Sequence, residues 1–314
     1  MNITVLGSGS WGTALTLLLS DNGHRVTLWS RHEAKAAEMA RTHVNPLLPQ
    51  RALPASVSVT ADLACAENAD LVVLASPSYA VRETARAAAP HLRKGTVLVS
   101  VAKGIEKGTH LRMSQLIGQE VGGGYPIVAL SGPSHAEEVA MGLPTGCVAA
   151  CRDEDAAKAV QDVFMSRCFR VYSSPDIVGV EICGAMKNVV ALCCGISDGM
   201  GYGDNTKALL MTRSMLEMSR LGRAMGGTEG TFSGLAGMDG TLGPRAEKAA
   251  AFGEMLKKAT GLPLTLWDER RTTIDAHQIL FNNGKNAKKR KKTVDAVAAA
   301  LMLEGYLTYR KANS

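Results

Sequence analysis

Three glycines near the start of the chain, in Gly7-Ser8-Gly9-Ser10-Trp11-Gly12, have the spacing of a turn that cradles phosphate. The first permits a tight turn, the second lets the main chain approach a pyrophosphate, and the third lets the following helix pack closely on a strand. The helix N-terminus then faces the phosphates with its free N–H groups. Such a triplet is a weak signal by itself, but this one follows an apolar strand and opens a helix, the context that dinucleotide binding requires. The acidic residue that would hold the ribose of NAD about 20 residues farther on is absent. The second strand ends instead in Trp29-Ser30-Arg31-His32. Arg31 suits a 2′-phosphate, which favours NADPH while leaving NAD open; a solvated arginine after a strand is the alternative. A second candidate is Lys187, in the apolar run Met186-Lys187-Asn188-Val189-Val190. Desolvation there lowers its pKa toward values useful for proton transfer. A lysine snorkelling from a helix face does no chemistry, and the residues alone leave both readings open. Lys103 follows an apolar strand and precedes Gly104, at the end of the strand where ligands of parallel sheets gather.

The elements that must position these residues alternate in type. Residues 2–7 read as a buried strand, about 12–21 as a helix, and 25–29 as a second strand. Further apolar runs at 71–75, 96–101 and 126–130 end in Ser76-Pro77-Ser78, Ala102-Lys103-Gly104 and Ser131-Gly132-Pro133-Ser134. Short apolar strands between helical patterns argue for a doubly wound parallel sheet covered on both faces. From about residue 176 the strands stop. Residues 178–200 and 206–223 have helical spacing and are joined by Gly199-Met200-Gly201-Tyr202-Gly203, giving an all-helical second region. Beyond Gly240 the α/β character returns, with a helix near 245–260, a strand at 262–267, a helix after Thr272 and an apolar helix at 294–306.

Bulk properties narrow the class. At 314 residues the chain can hold two domains, and with 4% aromatic residues its cores must be built from Ala, Leu, Val and Met. Nothing at the N-terminus reads as a secretory signal, and stretches such as 189–194 fall short of the roughly 20 apolar residues of a membrane span. Seven scattered cysteines, with no C-x-x-C, argue for small apolar packing in a reducing cytoplasm rather than for disulfides or a zinc site. The charge is unevenly placed. Residues 1–238 carry 21 Lys+Arg and 21 Asp+Glu, whereas 239–314 carry 14 and 8 and hold all of the +6 excess. The last quarter is a different kind of object.

Three further strings make a resemblance specific: Val101-Ala102-Lys103-Gly104-Ile105-Glu106, Leu130-Ser131-Gly132-Pro133-Ser134-His135-Ala136-Glu137-Glu138, and Gly184-Ala185-Met186-Lys187-Asn188-Val189. With the glycine turn, they make residues 1–238 similar to bacterial NAD(P)-dependent glycerol-3-phosphate dehydrogenases. That resemblance implies a Rossmann domain over 1–175, a truncated helical substrate domain over 176–238, and Lys187 as catalytic acid/base. It places Lys103, Gly132 and Ser134 against the substrate. It places Gly7, Gly9, Ser10, Trp11, Gly12, Arg31, His32, Lys103 and Ala136 against NADP or NAD. Hydride addition to a ketone puts negative charge on oxygen, which is where a lysine is needed. His135 reads as a substrate contact or, with more weight, as a polar helix start.

The resemblance stops near Gly237–Gly240. There the family continues into a segment whose arginine–asparagine pair binds the substrate phosphate, whereas this chain reads Met238-Asp239-Gly240-Thr241-Leu242-Gly243-Pro244-Arg245. From Asp239 on, with Trp267-Asp268-Glu269-Arg270-Arg271-Thr272-Thr273 and the basic string before Thr293-Val294-Asp295, the chain resembles the C-terminal half of the RuvC-like YqgF family of pre-16S rRNA nucleases, an RNase H/RuvC-like α/β fragment. That likeness implies Glu269 and Asp295 as metal-binding acids. The strand with the family's first catalytic aspartate has no counterpart, so a complete two-metal site is not expected and the dehydrogenase region holds none. The run Lys288, Lys289, Arg290, Lys291 and Lys292 suits a nucleic-acid backbone, or a solvated helix flank.

The leading expectation is an NAD(P)H-dependent, cytoplasmic oxidoreductase that reduces dihydroxyacetone phosphate to sn-glycerol 3-phosphate for phospholipid synthesis, impaired by the replaced phosphate-binding segment. A nucleotide binder without turnover and a nucleic-acid binder or remnant nuclease acting through 239–314 are the alternatives. If the tail leaves the apolar faces of 178–200 uncovered, the protein would aggregate or form a homodimer.

Overall fold

The computed structural model describes residues 1–234, all within one compact unit spanning Met1–Thr241. The elements expected beyond Gly240, the RuvC-like fragment, Glu269, Asp295 and the basic residues 288–292 lie outside the described residues.

Eight strands form one sheet: β1 (Asn2–Leu6), β2 (Arg25–Trp29), β3 (Ser58–Thr60), β4 (Leu71–Leu74), β5 (Val97–Ser100), β6 (Ile127–Ser131), β7 (Thr145–Ala150) and β8 (Phe169–Ser174). Their spatial order is β3-β2-β1-β4-β5-β6-β7-β8. The order reverses at β1, which pairs in parallel with both β2 and β4. In open parallel sheets the crevice at that switch point takes the ligand. Side chains alternate across the sheet as the two-residue period requires. Ile3 and Val5 of β1, with Leu71 and Val73 of β4, enter one core, whereas Leu6, Val72 and Leu74 enter the other.

Helices cover both faces. The first core takes α1 (Ser10–Asp21), and later α5 (Ala136–Ala140) and α6 (Glu154–Phe164). The second takes α3 (Val81–Ala88) and α4 (Met113–Val121), while α2 (Glu33–Thr42) flanks β3. The parallel sheet read from the sequence needs one correction: β7 runs antiparallel to β6 and then pairs in parallel with β8. The short loop between α5 and β7 returns the chain without a full crossover, and only a crossover keeps neighbouring strands parallel.

After β8 the chain is helical: α7 (Ile177–Gly199), α8 (Asp204–Ala224) and the short α9 (Glu229–Phe232). Asp176 caps α7, its Oδ1 accepting from the Gly179 amide at 2.8 Å. Its Oδ2 accepts from the Thr228 amide at 2.8 Å and the Thr231 hydroxyl at 2.6 Å, which fixes α9 against the start of α7. The N-terminal third of α7, Ile177 through Gly184, is buried; Ile182 and Cys183 pack with Ala129 of β6 and Val148 of β7 in a third core. The C-terminal half is different, with Val189, Leu192 and Ile196 exposed, as is Met200 just beyond it. By length and composition α7 is apolar enough to cross a membrane, which the short stretches weighed in the sequence had not suggested. Its seating on the sheet makes it the core helix of this unit.

Candidate active site

A cleft of about 840 Å³ opens at the C-terminal edge of the sheet, between the glycine turn, Ala75 to Tyr79, Val101 to Lys103, Pro133 to Glu137, and Lys187 with Asn188 and Ala191. Its two ends are built differently.

One end is main chain. Gly7, at φ 136°, lies so close to the strand end that a Cβ there would stand 2.7 Å from the Ala75 main chain, and a Cβ on Gly12 would stand 1.9 Å from the Gly7 oxygen. A Cβ on Gly9 would meet nothing within 4 Å. The third glycine therefore allows α1 to pack, and the second keeps an open space in front of that helix. No side chain caps α1 and its first turn holds no acid, so its N-terminus favours an anion. Ser10 and Trp11 line the cleft beside it. The buried Ser76 hydroxyl, also in the wall, has no partner among the described residues. An open cradle, an uncapped helix start and a spare polar atom fit a dinucleotide.

The turn is braced from behind by residues the sequence did not mark. Asn45 donates from Nδ2 to the Ser8 oxygen at 3.0 Å and to the Thr13 hydroxyl at 2.6 Å, and Lys35 Nζ donates to the same Ser8 oxygen at 2.7 Å. Partial burial lowers the Lys35 pKa. Arg31 and His32 stand apart from the cleft wall. Both are exposed at the end of β2, with Arg31 Nε donating to His32 Nε2 at 3.1 Å.

The other end is made of side chains. Lys103, after β5, donates from Nζ to the Gly132 carbonyl oxygen at 3.1 Å and to the Ser134 hydroxyl at 3.3 Å. Lys187, on α7, donates to that same Gly132 oxygen. Two ammonium groups thus meet at one acceptor. Burial, reinforced by the nearby Lys103 charge, lowers the Lys187 pKa from 10.5 to about 8. Cys147 on β7 and Cys183 on α7 also face this amine, but burial raises their thiols to about 11 and about 12. They stay neutral at pH 7, so neither thiol compensates the cations. An amine that titrates near neutrality beside a second cation can give a proton to an oxygen and stabilise the charge that develops there.

The structure brings Gly9, Ser10, Trp11, Lys103, Ser134, Ala136 and Lys187 into one cleft, with Gly132 supplying the oxygen and Gly7 and Gly12 shaping the turn. His135 is the N-cap of α5 without a side-chain capping bond and sits in the wall. Asn188, Ala191 and exposed Tyr79 also line the cleft; only the serine–proline strand end before Tyr79 hinted at this in the sequence. All seven cysteines are free. No group of three or more His, Cys, Asp or Glu suited to a metal occurs among the described residues.

Comparison with known proteins follows the same division. Residues 2–157 match the family described as NAD-dependent glycerol-3-phosphate dehydrogenase N-terminus, and 176–262 match the C-terminus of the same family. Residues 234–309 match a family described as Holliday junction resolvase, overlapping the second match. A glycerol-3-phosphate dehydrogenase [NAD(P)+] of Moorella thermoacetica is 53% identical over 239 residues, covering 76% of this chain and 71% of that protein. One from Lactobacillus delbrueckii is 42% identical over 305 residues, covering 95% and 84%. Among solved structures, the glycerol-3-phosphate dehydrogenase of Coxiella burnetii superposes with a TM-score of 0.72 at 30% identity, covering 99% of this chain and 90% of its own.

Proposed function

The chain belongs to the NAD-dependent glycerol-3-phosphate dehydrogenase family, and from that premise we propose that it interconverts dihydroxyacetone phosphate and sn-glycerol 3-phosphate, the precursor of glycerophospholipids, with NADPH favoured over NADH. The observation that carries this reading is the meeting of Lys103 and Lys187 on one oxygen, in the cleft that also holds the glycine turn.

In the reducing direction the chemistry that a bound NAD(P)H would supply is a hydride to the carbonyl carbon of the substrate. Lys187 gives its proton to the carbonyl oxygen, and an amine lowered to about 8 is still mostly protonated at pH 7 yet releases the proton readily. Lys103 holds the developing negative charge, while Gly132 and Ser134 orient the substrate. Gly7, Gly9, Ser10, Trp11 and Gly12 would hold the cofactor phosphates, Ala136 would lie against the cofactor, and Arg31 with His32 would take the adenosine 2′-phosphate. In the oxidising direction Lys187, as the free amine, accepts the alcohol proton.

The replaced segment after Met238 lacks the arginine–asparagine pair for the substrate phosphate. Loss of a charge-assisted bidentate contact weakens substrate binding by on the order of 2 kcal/mol or more. Turnover is therefore expected to be reduced and cofactor binding retained. The test is oxidation of NADPH by dihydroxyacetone phosphate, with NADPH fluorescence in the same sample. Lys187→Ala should lower turnover about 10²- to 10⁴-fold while NADPH still binds; a variant as active as the parent sinks the assignment. The match of 234–309 to a resolvase family supports a second reading, nucleic-acid binding through Lys288, Lys289, Arg290, Lys291 and Lys292. It requires salt-dependent RNA or DNA binding that disappears when these residues are neutralised.

A further inference from the structure

The two lysines come from different elements, and two like charges do not meet at one oxygen unaided. Lys103 sits at the head of the loop that leads from β5 to α4. That loop is folded back on itself, with Ile105 bridged to Arg112, and Glu106 is held by Arg82 at 2.7 Å. Its far end is fixed to α7 by a buried ion pair. Arg112 Nη1 donates to Glu181 Oε2, the Ser114 hydroxyl donates to the same oxygen at 2.7 Å, and the Ser114 amide donates to Oε1 at 2.7 Å. The Arg112 and Glu181 side chains are 10% and 5% exposed.

Buried ion pairs contribute little net stability against apolar residues of the same shape; their better attested use is to fix register. Here the register is visible along α7. Steps of three residues put Gly184 beside Glu181 and Lys187 beside Gly184, a row that winds about 120° around the helix from Glu181 to Lys187. Glu181 takes Arg112 at the end of the loop. A Cβ on Gly184 would stand 2.7 Å from the Ser131 hydroxyl and 3.7 Å from Cγ of Lys103, so the missing side chain lets the helix close on the lysine stem. Lys187 then meets the Lys103 ammonium at the Gly132 oxygen.

We propose that the Arg112–Glu181 pair is a positioning element for proton transfer, locking the 103–112 loop to α7 in the register that holds both ammonium groups on one oxygen. The inference rests on the reading of Lys187 as proton donor, but its geometry is testable without turnover. Among the described residues, the charged and titratable groups facing Lys187 are Lys103 from the loop, Cys147 from β7 and Cys183 from its own helix. The double variant Arg112→Gln/Glu181→Gln removes one charge of each sign, so a change at Lys187 reports a change of distance rather than of net charge.

The experiment is the pH dependence of Lys187 acetylation by acetic anhydride in the full-length protein, read by peptide mass, with NADPH fluorescence as the check on folding. In the parent the midpoint should lie at about 8. In the double variant it should rise by about one pH unit, a roughly tenfold loss of free amine below the midpoint, and any turnover should fall in kcat rather than rise in KM. A midpoint unchanged in a variant that binds NADPH overturns the proposal. Should the double variant not bind NADPH, Ser114→Ala, which keeps both charges, carries the test: a smaller rise of the same sign supports the clamp, and an unmoved midpoint overturns it. A fully active Lys187→Ala protein would sink the proton-donor reading alone, whereas an unmoved midpoint sinks the clamp whatever the turnover.

Discussion

The glycine turn and the lysine pair line one cleft but are made of different material. The turn is main chain, its shape enforced by backbone approaching backbone: Gly7 against Ala75, Gly12 against Gly7. The lysine pair is side chain, its shape enforced by contacts between residues far apart in sequence, Gly132 with Lys187 and Arg112 with Glu181. The first kind of site is rigid once β1, α1 and β4 have packed, because main chain cannot rotate away from main chain. The second exists only when β5, β6 and α7 have all docked, so each support can be weakened separately and its effect read as a graded shift.

That contrast can be broken most severely at Gly12. A methyl group there would stand 1.9 Å from the Gly7 oxygen, and main chain cannot swing aside. Gly12→Ala is expected to destabilise the protein by more than about 4 kcal/mol, as main chain overpacked against main chain does, and to weaken NADPH binding about a thousandfold or more. Denaturant unfolding and fluorescence titration check both, and tight binding by this variant would show that the turn is not the rigid partner described here.

The next largest effect belongs to Lys103. Loss of one donor at a developing oxyanion typically lowers turnover about 10²- to 10³-fold, and Lys103→Met should do so. It should also free Lys187 of its repelling neighbour. In the parent, reduction should decline as pH rises through about 8, where Lys187 loses its proton, and oxidation should rise over the same range. In Lys103→Met both limbs should move to higher pH. Limbs that stay in place would mean that burial alone sets the Lys187 amine.

The smallest effect is on stability. The Lys187 amine titrates at about 8 in the folded protein against the ordinary 10.5, so between those values the unfolded chain binds more protons. Stability relative to Lys187→Met should therefore rise from pH 8 to 10.5, and the full penalty of burying the ammonium is present below pH 8. Allowing for solvent screening, the change is on the order of 1–3 kcal/mol, measurable by denaturant titration at several pH values. A flat difference would show that the amine is hydrated rather than desolvated.

The same contrast explains what could be read from the sequence. Gly7, Gly9 and Gly12, the strands β1, β2, β4, β5 and β6, and the helices α7 and α8 announce themselves through spacing within a short window. The structure places the two helices at Ile177–Gly199 and Asp204–Ala224, within two residues of the ranges expected. The strands β3, β7 and β8 were not visible. Thr145–Ala150 is small and mixed in character, and neither its strand nature nor its reversed direction leaves a local pattern. The cluster of Lys103, Gly132 and Lys187 was drawn together by family resemblance, since nothing in the spacing of three separate segments says that they touch. Arg112 and Glu181 passed as ordinary charged residues because a buried partner 69 residues away has no signature in either neighbourhood. Arg31, conspicuous in the sequence, is exposed at the end of β2.

The Gly132 oxygen has one more consequence, for the interval between catalytic cycles. With no substrate present, the proton that Lys187 would transfer is already aimed at a peptide carbonyl, an acceptor too weakly basic to take it and tied to the chain so that it cannot depart. The amine is held against a fixed mark, and on the proposed mechanism an arriving ketone oxygen would compete for a donor already in place. On the proposed mechanism, the same carbonyl would receive the amine again once the alcohol left, and each cycle would begin from the same place.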